Sequence, residues 1–285
     1  MTIFLALAAA FLFGWIAIFT KKGLAFGNVR QSVAVTFGTD LAFLACLLVV
    51  TRPAFRISWA GLGLFVFDGM LAMVGAAILF VSVHRLGPAI AYPIKNAAPL
   101  PALLLAVLFL GEQPGLAVVA GALLTAVGVI VLSLQPVKGG IPWKVDTFIS
   151  VLSAFIFALD NIIRRVALQE VDTPLVGLFV AVFVSLVCAF IWDVTGPSPT
   201  LLKIKPRAAL FFGASGLCQG IGLVCLYTAL QSGLVSVVVP LYNLSPLFVL
   251  LFSWLFLKGV EKITGRILAG TLSIVSGVIL IGLNS

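Results

Sequence analysis

Charged residues are scarce in this chain of 285 residues, because only 9% are Asp, Glu, Lys or Arg while 62% are hydrophobic. Soluble domains carry about 25% charged residues, so a soluble protein of this composition lacks the charge to cover its surface. The net charge of +8 comes from 17 basic residues scattered between apolar segments. Such scattering is typical of membrane topology and excludes a nucleic-acid binder. We therefore predict a protein that contacts the lipid bilayer and no nucleic acid.

Groups that bind metals or perform hydrolysis are also rare. The chain has one histidine and four cysteines, and no two cysteines form a C-x-x-C pair. This predicts no metal site, no disulfide and no cofactor. The motifs G-x-x-x-x-G-K-[ST], G-x-S-x-G and H-E-x-x-H are missing, which argues against ATP-driven and hydrolytic chemistry. The sequence therefore predicts that the protein is not an enzyme.

Long apolar segments are abundant, and a spanning helix needs about 20 such residues. These segments do not alternate apolar and polar residues as the strands of a membrane barrel would. They predict an all-α integral membrane protein with ten transmembrane helices around a central cavity. The predicted spans are 2–20, 33–51, 59–83, 88–110, 115–134, 147–163, 174–192, 208–230, 234–257 and 264–283.

An internal repeat organises the ten spans, because the segment 93–99 (PIKNAAP) recurs at 240–246 (PLYNLSP). The repeat predicts two five-helix units, 1–137 and 138–285. Since five is odd, the second unit enters the bilayer with reversed polarity. Inverted repeats are typical of secondary transporters that work by alternating access, with the substrate site near the bilayer midplane between the halves.

The repeated motif also predicts helix-kinking or gating positions, because proline removes a backbone donor from a helix. Asn96 and Asn243 lie three residues from these prolines, close to the same helix face. The two amides either bind substrate or stabilise kinks that pack against neighbouring helices. The candidate gating residues are Pro93, Pro99, Pro240 and Pro246.

Ionisable residues inside the spans are expensive in lipid, and they mark functional sites unless they are paired. Lys95 lies beside the signature asparagine, and Asp68 and Asp160 lie within other spans. Lys95 either pairs with one of these acids, or the charges bind the carboxylate and ammonium of a zwitterion. His84, at the end of the third span, is a candidate substrate ligand, with an interfacial hydrogen bond as the alternative.

Aromatic residues within the spans are candidates for the wall of the cavity, where they would stack on an apolar substrate. Ordinary packing is the alternative for each of them. The candidates are Trp15, Tyr92, Tyr227 and Tyr242.

The chain resembles the drug/metabolite transporter superfamily, and within it the EamA-type exporters. The resemblance covers both halves: Gly14-Trp15 before Lys21-Lys22, the P-x-x-N-x-x-P helix, and "FLGEQPG" echoed by "FLKGVEKITG". The sequence is also similar to YddG-type exporters of aromatic amino acids. This resemblance implies a cavity built from the first, third, fourth, sixth, eighth and ninth helices, and export of amino acids or related small metabolites.

We therefore predict a monomeric secondary transporter in the inner (plasma) membrane that exports amino acids or related small metabolites, with aromatic or hydrophobic amino acids as the leading substrates. A proton-coupled multidrug exporter is the first alternative. An integral-membrane enzyme or a lipid-handling protein is the second. The loops after the odd-numbered spans carry most of the basic residues, so the positive-inside rule predicts that both termini lie outside.

Overall fold

The computed structural model describes residues 2–53, 58–98, 101, 115–133, 143–171, 173–196, 199–232, 241–242, 244–257 and 263–284. These residues form ten α-helices, which correspond in order to the ten predicted spans. They are α1 (Thr2–Leu24), α2 (Val29–Thr51), α3 (Trp59–Leu86), α4 (Pro88–Lys95), α5 (Leu116–Ser133), α6 (Trp143–Ala167), α7 (Pro174–Val194), α8 (Pro206–Ser232), α9 (Ser245–Phe256) and α10 (Gly265–Asn284).

Six of these helices, α1, α2, α3, α7, α8 and α10, are long and apolar enough to cross a membrane, and α5 and α9 are shorter apolar helices. Large hydrophobic side chains cover the outer surface, as at Phe4 and Leu210, which are 74% and 72% exposed. A soluble monomer does not expose apolar surface on this scale, so these faces meet lipid. The prediction of an all-α integral membrane protein is confirmed.

The packing of the helices follows the two repeats. Helix α1 packs on α8 and α9, while the corresponding helix of the second half, α6, packs on α3 and α4. In the same way α2 packs on α8 and α7 packs on α3, and the pairs α2–α7, α4–α9 and α5–α10 join equivalent helices. Exchanging the two halves therefore preserves these contacts, as a pseudo-two-fold axis requires. The predicted boundary between residues 137 and 138 lies outside the described residues.

Helices α5 and α10 approach each other through glycines. A Cβ added at Gly121 would lie 2.7 Å from the carbonyl oxygen of Gly277, and one at Gly128 would lie 2.7 Å from that of Gly270. Since lipid tails are as apolar as leucine, small residues that bring helix backbones together supply the packing that hydrophobicity cannot.

The predicted spans 88–110 and 234–257 depart from a regular α-helix at the repeated motif, where its prolines predicted a kink. Helix α4 ends at Lys95, and the N–H groups of Ala97 and Ala98 then bond to carbonyls three residues back, a tighter turn than an α-helix makes. Leu244 makes the same three-residue bond just before α9 begins at Ser245. The chain thus departs from the α-helix at equivalent places in both repeats.

Candidate functional site

Helix α4 is a half-helix that ends inside the bundle. Gly87 makes the turn from α3 with a φ of 85°, which only glycine adopts easily, and Pro88 opens α4 where its missing N–H costs nothing. Eight helical residues rise about 12 Å, roughly half the depth of the hydrocarbon core. Lys95, the last residue of α4, is therefore carried close to the middle of the membrane.

An ion cluster joins α3 to α6. The Arg164 Nη2 lies 2.9 Å from Asp160 Oδ2 and 3.2 Å from Asp68 Oδ1. Asp68 is a residue of α3, while Asp160 and Arg164 are one helical turn apart on α6. The guanidinium therefore holds two carboxylates together in the membrane interior, where an unpaired charge is costly.

Arg164 was not among the site residues predicted from the sequence. Our prediction placed Arg164 and Arg165 in a loop after a span ending at residue 163, whereas α6 continues to Ala167. The signal that could have identified Arg164 is its spacing of four residues from Asp160, which puts both side chains on the same face of a helix.

The carboxylates of the cluster keep unused hydrogen-bonding capacity. Asp68 and Asp160 are each 1% exposed, and within the described part of the chain the Oδ1 atom of each accepts no hydrogen bond. The Oδ1 of Asp68 does have the Arg164 Nη2 3.2 Å away as an ion-pair contact, whereas a buried acceptor without a donor, such as the Oδ1 of Asp160, is unfavourable. The Arg164 side chain is 21% exposed, so the cluster is open on one side.

Lys95 provides a second positive charge at this place. Its Nζ lies 4.6 Å from the ring centroid of Phe157 on α6, a cation–π distance. The ammonium also lies within electrostatic range of Asp160. Two acids and two bases therefore meet where α3, α4 and α6 come together, and their formal charges cancel.

Aromatic side chains border the cluster on the side of α8. Tyr227 lies within electrostatic range of Arg164, Asp68 and Asp160, and Tyr242 lies near Tyr227. The Tyr242 ring packs edge-on against Phe13 of α1, with 5.5 Å between the ring centroids. The structure thus brings together five residues predicted from the sequence: Asp68, Lys95, Asp160, Tyr227 and Tyr242.

The signature motif links the two halves. The Asn96 Nδ2 donates to the Ser245 Oγ at 2.8 Å, which joins the end of α4 to the start of α9. Pro93 lies inside α4 and Pro246 lies in the first turn of α9. Tyr92, on the same half-helix, is buried near Thr20, and its hydroxyl makes no hydrogen bond among the described residues.

Two of the predicted residues lie elsewhere. Trp15 packs in an aromatic group with Phe252, at 4.7 Å between ring centroids, and Phe256. His84 is exposed at the end of α3, with Lys21 and Arg85 as its charged neighbours. Pro99, Pro240 and Asn243 lie outside the described residues.

Asp40 is another buried acid, outside this cluster. It is fully buried on α2, and its Oδ2 accepts a hydrogen bond of 2.9 Å from the Gln219 Nε2 of α8. Its Oδ1, like those of Asp68 and Asp160, accepts no hydrogen bond among the described residues. Within the described part of the chain Asp40 differs from them in forming no ion pair, and an inter-helix hydrogen bond is a common structural role for a polar side chain in a membrane bundle. Asp40 therefore serves as a reference for the acids of the cluster.

The described residues thus form ten helices in two repeats, with a buried ion cluster where α3, α4 and α6 meet and a hydrogen bond between the ends of α4 and α9. Repeats of this kind recur in membrane transporters. The EamA-like transporter family model matches residues 1–134 and again residues 146–283. The chain belongs to the EamA-like transporter family. It is a multi-pass membrane transporter of small molecules and not an enzyme.

Solved structures support the same fold. Eighteen solved chains match this one. One, described only as the crystal structure of a protein, is 20% identical with a TM-score of 0.68, over 98% of this chain and 95% of the other. At this identity the likeness concerns the fold alone. No curated protein sequence matches the chain.

Proposed function

We propose that the protein is a secondary exporter of amino acids, and that aromatic and other hydrophobic amino acids are its preferred substrates. The observation that carries this proposal is the pair of buried carboxylates of Asp68 and Asp160, which share one guanidinium. Among the described residues the Oδ1 of Asp160 has no hydrogen-bond partner, and the Oδ1 of Asp68 has only the Arg164 Nη2 at 3.2 Å. An ammonium group offers three donors and no acceptor. The ammonium group of a substrate could therefore donate hydrogen bonds to both carboxylates.

The carboxylate of the substrate needs a cation that is not already committed. Arg164 is occupied by the two acids. Lys95 lies over the face of Phe157 and within electrostatic range of Asp160, but among the described residues it forms no ion pair. We therefore assign the substrate ammonium to Asp68 and Asp160, and the substrate carboxylate to Lys95. Arg164 is a positioning residue that keeps the two acids together.

The substrate side chain would lie against the aromatic border of the cluster. Tyr227, Tyr242 and Phe157 offer ring faces and edges there, and aromatic pairs add to the free energy gained from burying apolar area. This arrangement favours an aromatic or hydrophobic amino acid over a small polar one.

Alternating access is the mechanism that this architecture supports. Half-helices α4 and α9 meet at the Asn96–Ser245 hydrogen bond, so a rocking of one half against the other would move the walls of the site. In an inverted repeat, exchanging the conformations of the halves converts an inward-open site into an outward-open one. We further propose that the transporter works as a monomer in the plasma membrane.

The direct test is counterflow of labelled phenylalanine into liposomes that contain the purified protein and no ATP. Asp68→Asn removes one charged acceptor, which is worth about 1.5–3 kcal/mol, so we expect uptake at low substrate concentration to fall roughly 10- to 100-fold. Asp40→Asn is the matched control, because it changes a buried acid outside the cluster and should leave uptake close to that of the unmodified protein. Absence of counterflow across a panel of amino acids would refute the proposal.

A proton-coupled multidrug exporter is the second candidate, because the same two acids could carry protons. The measurement that separates the candidates is flux against pH with phenylalanine and with a cationic dye as substrates. Dye flux that depends on a proton gradient and is lost in Asp160→Asn, with no flux of amino acids, would favour the multidrug exporter.

A further inference from the structure

A basic cavity lies at one end of the bundle and shares no residue with the proposed substrate site. It has a volume of about 460 Å³ and lies between the α1–α2 turn and the α7–α8 connection. Lys203 and Lys205 line one side, Asn28 and Gln31 line the other, and Phe26 and Pro199 supply apolar surface. We propose that this cavity binds the phosphodiester headgroup of an anionic phospholipid.

The positive charge of the cavity is not neutralised locally. Lys203 and Lys205 are exposed, and no acidic side chain of the described residues forms an ion pair with either. Asp193 is the acid closest in sequence, but it is 1% exposed and its carboxylate accepts the backbone N–H groups of Thr200 and Leu201. Its carboxylate is therefore engaged by the α7–α8 connection and forms no ion pair with either lysine.

The walls of the cavity are fixed before a ligand arrives. The Gln31 Nε2 donates to the Thr200 carbonyl at 2.7 Å, which joins α2 to the α7–α8 connection. The Asn28 Oδ1 accepts the Gln31 backbone N–H at 3.0 Å, in a capping box at the start of α2. Preorganised walls lower the entropic cost of binding.

The surroundings favour a lipid over a soluble phosphate. Leu202, the residue before Lys203, is 94% exposed, so an apolar side chain lies beside the cavity with no protein covering it. Trp192 lies at the end of α7 under the Arg30 guanidinium, 5.5 Å away, and tryptophan is enriched at membrane interfaces. Basic pockets beside transmembrane helices are general sites for anionic headgroups.

The test uses purified protein in detergent, to which dioleoylphosphatidylglycerol, dioleoylphosphatidylcholine or inorganic phosphate is added, with the unfolding temperature as the readout. We expect only phosphatidylglycerol to raise it. Each lysine near an anionic headgroup contributes roughly fivefold in affinity. The double variant Lys203→Gln/Lys205→Gln should therefore require roughly 25-fold more phosphatidylglycerol for the same rise.

Two further variants make the outcome decisive. Arg266→Gln removes an exposed positive charge at the start of α10, outside the cavity, and should respond as the unmodified protein does. Lys203→Arg/Lys205→Arg keeps the charge and should also respond. An unchanged response in the Gln double variant overturns the proposal, and so does an equal rise with inorganic phosphate, which would assign the cavity to a soluble anion. If the Gln variant is unstable in detergent, phosphatidylglycerol retained per protein after purification from mixed vesicles gives the same comparison.

Discussion

The two halves of the molecule build the same interface from different chemistry. The register that aligns Pro93 with Pro240 also aligns Asp68 with Ser215, and the repeat places Lys21 opposite Arg164. At the α3–α6 interface Asp68 meets Arg164 in an ion cluster. At the corresponding α8–α1 interface Ser215 meets the neutral Thr20, with 3.1 Å between hydroxyl oxygens.

The basic residues at these equivalent positions, Lys21 and Arg164, also make different contacts. The Lys21 Nζ donates to the carbonyls of Val83 and His84 at 2.9 and 3.0 Å, so it closes the end of α3 and contacts no carboxylate in these bonds. The fold therefore accepts a neutral pair where the other half carries an ion cluster. This difference agrees with the substrate role that we propose for the cluster.

The same contrast recurs at the ends of the broken helices. In the alignment of the two repeats Lys95 corresponds to Tyr242. Lys95 lies over the ring of Phe157 on α6. Tyr242 instead packs against the ring of Phe13 on α1. One half offers charge and the other offers an aromatic ring. An amphipathic substrate between the halves would use both.

The largest expected effect comes from Arg164→Leu. It leaves Asp68 and Asp160 buried without their cation, which destabilises a protein by about 3–5 kcal/mol. The free energy of unfolding in a detergent titration measures this loss. Lys21→Leu is the matched change in the other half and should cost less, about 1.5–3 kcal/mol, because it removes hydrogen bonds to neutral carbonyls. Equal losses would show that the two interfaces are equivalent after all.

Substitutions at two equivalent glycines should instead lower stability by similar amounts, because both glycines lie at helix contacts that the two halves share. A Cβ at Gly69 would clash with the carbonyl oxygen of Ala181 on α7, and a Cβ at the equivalent Gly216 would clash with that of Thr36 on α2. Overpacking of this kind costs about 1–3 kcal/mol. We expect Gly69→Ala and Gly216→Ala to lower the unfolding temperature by similar amounts. A large effect of only one of them would mean that the halves differ in packing as well as in charge.

The hydrogen bond between Asn96 and Ser245 is a smaller contribution at the contact between the halves. A double-mutant cycle with Asn96→Ala and Ser245→Ala should give a coupling free energy of about 1 kcal/mol, as expected for a buried neutral hydrogen bond. The unfolding free energies of the four proteins supply it. A coupling near zero would indicate that the two side chains act independently of each other.

The architecture could be predicted from the sequence because lipid imposes simple rules. Apolar length gave ten helices, and the repeated P-x-x-N-x-x-P motif gave two inverted units. The same motif did not reveal that α4 stops at Lys95, since a proline is compatible with a kink or with a complete break. Tertiary contacts such as Asn96–Ser245 accompany the break, and these are not visible in one sequence.

The site was predictable only in part, for a related reason. Asp68, Lys95 and Asp160 stand out because charge is rare within the spans, whereas Arg164 was hidden because an arginine near the end of a span has the pattern of a topology signal. Trp15 fits the pattern of a cavity aromatic but packs with Phe252. Composition identifies residues that are costly in lipid, and only the packing of helices shows which of them meet.

Lys95→Met should also have a small effect on stability, and it is the sharpest test of the contrast between Lys95 and Tyr242. A partly buried cation–π contact contributes about 0.5–2 kcal/mol, so the folded protein should be little affected. Loss of the cation assigned to the substrate carboxylate should weaken phenylalanine binding about tenfold, or about 1.4 kcal/mol. Phenethylamine lacks that carboxylate and should bind the variant and the unmodified protein equally.

Tyr242→Phe is the matched change in the other half, because it keeps the ring on Phe13. It should leave phenylalanine binding close to that of the unmodified protein. Dissociation constants from quenching of intrinsic tryptophan fluorescence give the comparison. If Lys95→Met weakened both ligands equally, Lys95 would be acting through the structure of the site. If only Tyr242→Phe weakened phenylalanine, the carboxylate would have to be assigned to the aromatic half.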